Sequence, residues 1–230
     1  MTIPTPTSQM APQLDADEAP RRNLWPGIAG IASGVLMLVA LLVSYGNSPD
    51  YTGADGLRDT VTFYRDSGNL DLTEAMSLVM LAATLLFFWF LAALARLAGA
   101  RSSLVLVGGT AFVVLVMIAT ITGAIYALSA NHTETFLVGP QTAMVAMLLM
   151  DVSYAGFIAA MAAAAVLLFA VWRVSVTTGA LPAWLGWFAF VIAVLCLAGP
   201  FSAWLTAPLM GVWVVVAGVV LVLRSPSRGS

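Results

Sequence analysis

The stretch VSYAGFIAAMAAAAVLLFAVW, residues 152–172, carries no charged side chain and is bounded by Asp151 and Arg173. About 20 helical residues cross a hydrocarbon core of about 30 Å, so a run of this length is read as a membrane span. In hydrocarbon every backbone N–H and C=O has to bond within the protein, which leaves only helices or a closed barrel. A barrel strand alternates apolar and polar residues, whereas this run is continuous, so the helix is selected.

Similar runs recur along the chain. Spans are expected over about 24–45, 72–97, 103–128, within 140–172, 181–199 and 203–223. Gly199-Pro200 breaks the backbone between the last two and makes a tight hairpin. Composition agrees. Of 230 residues, 61% are hydrophobic and only 9% charged, with a mean hydropathy of +0.98. A soluble domain carries about 25% charged residues, and a chain this poor in charge lacks the polar surface to cover a water-soluble globule. The net charge of -2 offers no basic footprint for nucleic acid. The reading is an all-α, six-helix transmembrane bundle whose partner is the lipid bilayer.

Arginine placement sets the orientation, because basic residues accumulate in cytoplasmic loops. All nine basic residues are Arg. With the N-terminus inside, Arg21, Arg22, Arg96, Arg101, Arg173, Arg224 and Arg228 are cytoplasmic, and only Arg58 and Arg65 lie outside. Acids collect on the outer side: Asp50, Asp55, Asp59, Asp66, Asp71, Glu74 and Glu134. Six crossings return the C-terminus inside. The expected organisation is a polar, disordered cytoplasmic tail over 1–23, a plasma-membrane domain over 24–223 and a short cytoplasmic tail over 224–230. The tail's prolines, Pro4, Pro6, Pro12 and Pro20, and its three acids keep it from burying an apolar face. The first apolar run is too long for a signal peptide's h-region.

The first outer loop, about 46–71, is not featureless. Leu57, Val61 and Tyr64 recur at the spacing of one helical stripe. A short amphipathic helix over about 54–66 is expected at the outer rim, ended by Ser67-Gly68-Asn69. Asn69 or Asp71 would then cap the second span. This loop either covers helix ends or gates a ligand. It has no match in length to the loop between spans four and five, so an inverted repeat of the transporter kind lacks support.

Asp151 is the one acid embedded in an apolar run, and an intramembrane carboxylate is a candidate site because its burial is costly. Twenty-two residues separate it from Arg173, about 33 Å of helix, which places it near the outer interface rather than the midplane. Tyr154 lies three positions on and shares its helix face. Tyr126, near the outer end of the third span, could approach from a neighbouring helix. Asp151, Tyr154 and Tyr126 form either a site for a proton, cation or polar ligand or a self-satisfied polar cluster between helices. His132 and Glu134 read as surface polar residues, since a zinc site needs three or four protein ligands. The lone Cys196 reads as a small packing residue. No metal and no cofactor is expected, and no catalytic signature is present: no GxSxG, no P-loop, no dinucleotide-binding glycine loop, no CxxCH.

Gly27, Gly30 and Gly34 expose backbone for close helix approach, as do Ala155, Gly156, Ala159 and Ala160 in the fourth span. Such small residues pack either within the monomer or across a homodimer seam. Trp25, Trp172, Trp184, Trp187 and Trp204 fall near span ends, where aromatic side chains favour the interface. Trp89 and Trp213 lie deeper.

The stretch GALPAWLGW, residues 179–187, follows Arg173 and opens the fifth span. It resembles the G-x-LPxWLGW signature of small multi-pass membrane proteins common in actinobacteria, of the DUF4386-like or a related kind. The D-x-x-Y element from Asp151 to Tyr154 and the polar outer loop before Leu72 are similar too. The resemblance implies a helical membrane bundle and assigns no functional residue. Physically, Pro182 suits a first helical turn and Gly186 admits a close neighbour. The expected function is a non-enzymatic accessory or scaffold component of the cell envelope. The alternative is a small transporter or proton-coupled permease using Asp151. An intramembrane enzyme would need a second titratable group beside it for acid–base work.

Overall fold

The computed structural model describes residues 21–99 and 102–224. Among them the chain is all-helical: α1 (Arg21–Gly46), α2 (Gly56–Arg65), α3 (Ser67–Ala98), α4 (Ser102–His132), α5 (Pro140–Thr178), α6 (Ala183–Cys196) and α7 (Ala203–Leu223), with a 3-10 turn at Gly199–Phe201 before α7. Five helices (α1, α3, α4, α5 and α7) are long and apolar enough to cross a membrane; α6 is apolar but shorter. The tail expected over 1–23 lies outside the described residues except at its end, where α1 already begins at Arg21. The tail after 223 lies outside them except for Arg224.

Helix ends follow local chemistry. Pro140 opens α5 after Gly139, whose N–H donates to Thr142 Oγ1 at 3.0 Å. The helix ends at Gly179, with φ 67, a left-handed position that glycine takes without a Cβ clash. The junction of α2 and α3 differs from expectation. Ser67-Gly68-Asn69 do not terminate a helix; they begin α3, and the break is Asp66 alone. Asp66 has an extended backbone, and its carboxylate accepts the Gly68 N–H at 2.8 Å. Asn69, expected as a cap, instead donates to the Phe63 carbonyl at the end of α2, at 3.1 Å. The buried face of α2 is also rotated from the expected stripe. Gly56, Thr60 and Tyr64 face the bundle, while Leu57 is exposed. Gly56 is required there because the Tyr51 backbone crosses directly over it.

α6 stops at Cys196, three residues before Gly199, and at 14 residues it is about 21 Å long. Gly199 takes φ 63 and Pro200 has no N–H, so the helix cannot continue. The corner is closed by side chains: Ser202 Oγ donates to the Leu195 carbonyl at 2.6 Å, and the Tyr154 hydroxyl donates to the Pro200 carbonyl at 3.0 Å. At the opposite end, Arg224 Nη1 donates to the Ala180 carbonyl at 2.8 Å and ties the end of α7 to the turn between α5 and α6.

α1 packs against α7 on one side and α3 on the other; α3 packs on α4, α4 on α5 and α5 on α6. The α1–α7 contact is antiparallel and built on glycine pairs. A methyl group at Gly34 would stand 2.7 Å from the Gly211 carbonyl oxygen, and one at Gly218 would stand 2.8 Å from that of Gly27. Each pair is spaced seven residues along its helix, two turns on one face. Gly30 faces the Phe90 ring on α3, and Ser33 Oγ donates to the Ala83 carbonyl at 2.8 Å. Gly27, Gly30 and Gly34 are therefore occupied within the chain. In α5, Gly156 meets Ala119 of α4, and Gly108 of α4 meets the Leu167 backbone.

The core of the bundle is aromatic. Phe87, Phe90, Phe112 and Trp213 are fully buried, with ring centroids 5.4 Å apart for Phe87–Phe112 and 6.2 Å for Phe90–Trp213. The exterior is apolar as well: Leu42, Trp89, Val107 and Leu148 are each more than three-fifths exposed. An apolar outer surface is what a hydrocarbon solvent demands, and the chain is an integral membrane protein by this criterion.

A Gly218→Leu substitution drives a side chain into the α1 backbone. It is expected to lower unfolding stability by about 1–3 kcal/mol, as overpacking does. Gly46→Ala, where no heavy atom lies within 4 Å of the added carbon, leaves it unchanged. Thermal or detergent unfolding of the purified variants reads both.

Candidate functional site

The bundle has two chemically different ends. Arg96, Arg173 and Arg224 mark one; Asp50, Asp71, Glu74 and His132 mark the other. A cavity of about 290 Å³ opens at the acidic end. The last turns of α1 wall it with Leu41 and Tyr45, the start of α3 with Thr73 and Met80, the second half of α4 with Thr120, and α5 with Ser153 and Phe157. The loop after α1 contributes Asn47 and Tyr51, and α2 contributes Phe63 and Tyr64. Among the described residues no lining side chain is charged.

α2 is held over this cavity by a second, smaller apolar cluster. Tyr64, Leu70, Tyr126, Ala127 and Ala146 form it, with Phe136 and Val138 against its edge. The Tyr64 and Tyr126 rings lie 4.6 Å apart, and Phe136 stands edge-on to Tyr126 at 5.1 Å. Burial, then the neighbouring Tyr126, push the Tyr64 phenol up to about 12, so it is a neutral hydrogen-bonding group at any ordinary pH.

Of the three residues singled out in the sequence, Asp151 and Tyr154 both stand near Tyr51, while Tyr126 sits in the satellite cluster. Asp151 is exposed on α5 and faces Tyr51, which reaches it from the loop after α1. Burial, then the Asp151 charge and the hydrogen bond to it, raise the Tyr51 phenol above its usual value. Tyr51 thus stays protonated beside the carboxylate. Tyr154 lines the cavity with its ring, but its hydroxyl is engaged by the Pro200 carbonyl. Tyr126 is buried in the satellite cluster, and its hydroxyl donates to Thr142 Oγ1 at 3.1 Å. His132 pairs with Glu74 at 2.9 Å rather than with Glu134, and Asn131 donates to both Asp71 and Glu74. Among the described residues no group of three or more His, Cys, Asp or Glu is placed to hold a metal.

Two site residues carried no sequence signal. Tyr51 stands in a polar loop one hundred positions from Asp151, and nothing in the pattern pairs them. Thr120 is a single hydroxyl in an apolar helix. It is 8% exposed and lines the cavity, and among the described residues its Oγ1 has no hydrogen-bond partner. Comparison with family models, curated proteins and solved structures finds no match to this chain.

The hydroxyl of Tyr154 satisfies a carbonyl at the α6–α7 corner. Tyr154→Phe is expected to cost about 0.5–1.5 kcal/mol of stability, the scale of hydrogen bonds between membrane helices. Equilibrium unfolding of the variant in mixed micelles measures it.

Proposed function

We propose that the chain is a non-enzymatic six-span protein of the plasma membrane, with both termini cytoplasmic, serving as an accessory or scaffold component of the cell envelope. The filled interior supports this reading most directly. Phe87, Phe90, Phe112 and Trp213 occupy the space between α3, α4 and α7, so the cavity at the acidic end is floored by packed side chains. Membership in the DUF4386-like group, on the stretch over 179–187, belongs to the same proposal. Gly27, Gly30 and Gly34 are used within the chain, so a partner protein or second copy would meet a different face.

A common ruler supports the orientation and the count of crossings. Twenty-two residues before Arg96, Arg173 and Arg224 stand Glu74, Asp151 and Ser202, about 33 Å of helix in each case. Three helices therefore place a polar residue at the same distance from an arginine, close to one hydrocarbon thickness. The hairpin of α6 and α7 adds the fifth and sixth crossings, α6 completing its path through the Ser202 corner. In a Cys196→Ala background, Glu134→Cys should react with a membrane-impermeant maleimide in intact cells. Thr178→Cys should react only in inverted vesicles. The reverse pattern overturns the orientation.

The second reading, a small transporter or proton-coupled permease, draws on the pairing of Asp151 with Tyr51 beside the cavity. One experiment separates the two. Asp151→Asn should fully complement a deletion strain if the role is accessory, because the carboxylate lies outside the packed core. Loss of a transport or pH-response phenotype in that variant favours the permease and overturns the accessory role.

A further inference from the structure

We infer that the cavity at the acidic end is a binding site for a neutral ring compound with a hydrogen-bonding oxygen, of the kind carried by the head group of an isoprenoid quinone or by a free phenol. This goes beyond the accessory role and does not depend on it, since a scaffold and a permease could each hold such a ligand.

The lining sets the charge of the ligand. Among the described residues no side chain on the wall is charged, and the nearby Asp151 carboxylate is already engaged with Tyr51, so an ion would surrender its hydration for little counter-charge, whereas a neutral molecule loses little. It also sets the shape. Six aromatic side chains and three methionines line the space, against Leu41, Val43 and Leu72 as its branched aliphatic residues. Aromatic rings favour stacked or edge-on partners, and thioether sulfur adapts to ring edges, so this wall is matched to a flat ring more closely than to an acyl chain. About 290 Å³ is roughly twice the ~150 Å³ apolar cavity that takes one benzene, so it has room for a substituted six-membered ring.

Thr120 supplies the polar anchor. A threonine inside a helix commonly returns its hydroxyl to a carbonyl one turn back. Thr73 does so to Asn69, and Ser77 to Thr73, on the same cavity wall. Thr120 does not, although it is more than nine-tenths buried. A buried hydroxyl without a partner is destabilising in the free protein. Thr120 Oγ1 is closed to water as it stands, so a ligand oxygen gains this bond when the side chain turns toward the cavity. Asn47 also lines the space and offers a second polar position, so a ring substituted at both ends meets a partner at each.

The test uses the full chain in detergent and follows its unfolding midpoint against ligand concentration. Three probes are compared: a benzoquinone with a decyl tail, the same ring without the tail, and decyl alcohol. Both ring probes should raise the midpoint saturably, and decyl alcohol should not. A tighter tailed probe identifies a membrane lipid as the source, and equal affinities identify a soluble ring compound. Thr120→Val keeps the side-chain shape and removes the unpaired hydroxyl. It should weaken ring binding roughly tenfold, the worth of one hydrogen bond, while the ligand-free midpoint holds or rises. Ser77→Phe, which fills the cavity, should abolish binding. The inference is overturned if neither ring probe binds, if decyl alcohol binds as well as the rings, or if Thr120→Val leaves the affinity unchanged.

Discussion

The contact between α1 and α7 holds the first long apolar helix against the last, and the geometry of the acidic end depends on it. Gly27 against Gly218 and Gly34 against Gly211 let the two backbones approach closely, with Val215, Val222 and Leu38 packed over the glycines. In hydrocarbon the gain from such an approach is van der Waals contact, because lipid tails supply no hydrophobic drive between helices. Once α1 is seated there, its opposite face turns to α3, where Ser33 reaches the Ala83 carbonyl and Gly30 receives the Phe90 ring. That seating brings the last turn of α1, with Leu41 and Tyr45, beside α3 and α4 as a wall of the cavity.

The two ends of the bundle follow different rules. At the arginine end the polar groups serve as ties: Arg224 holds the Ala180 carbonyl, and Ser175 Oγ donates to the carbonyls of Leu181 and Pro182. At the acidic end the helices overrun one another. α3, α4 and α5 are 32, 31 and 39 residues long, while α6 has 14. The excess length is capped by α2 and stitched by the Tyr64–Tyr126–Phe136 cluster, leaving an unfilled space beneath. The short hairpin of α6 and α7 is made tolerable by Tyr154 and Ser202, which satisfy carbonyls that an apolar surrounding would otherwise leave unpaired. Tyr154 therefore has a structural duty whatever else its ring contacts.

The class of the protein was legible because one constraint dominates it. A chain with 9% charged residues and charge-free runs of span length has few soluble alternatives. The helical, apolar character of the chain was readable from its long uncharged runs, and the chain also forms a short helix, α2, before Leu72. The buried face of α2 was not readable, since Leu57 and Thr60 exchange roles once the Tyr51 backbone crosses Gly56. The α2–α3 boundary was misplaced because Ser67-Gly68-Asn69 has turn-forming composition, and the single capping carboxylate of Asp66 outweighs it. Proximity across helices was the least legible. Asp151, Tyr154 and Tyr126 share suggestive spacing, yet helix rotation sends their polar atoms to Tyr51, Pro200 and Thr142.

The amino-acid sequence by itself determined that this is a helical membrane protein, and with its arginines it separated the two ends of each helix. Those properties are set by solvent transfer, which acts on each segment independently of its neighbours. Only the tertiary structure decided that the glycines of α1 meet α7, that Asp151 meets Tyr51, and that Thr120 is left without a partner beside an open space. Those properties depend on the rotation and register of packed helices, which arise from contacts among residues far apart in the chain and have no local pattern to announce them.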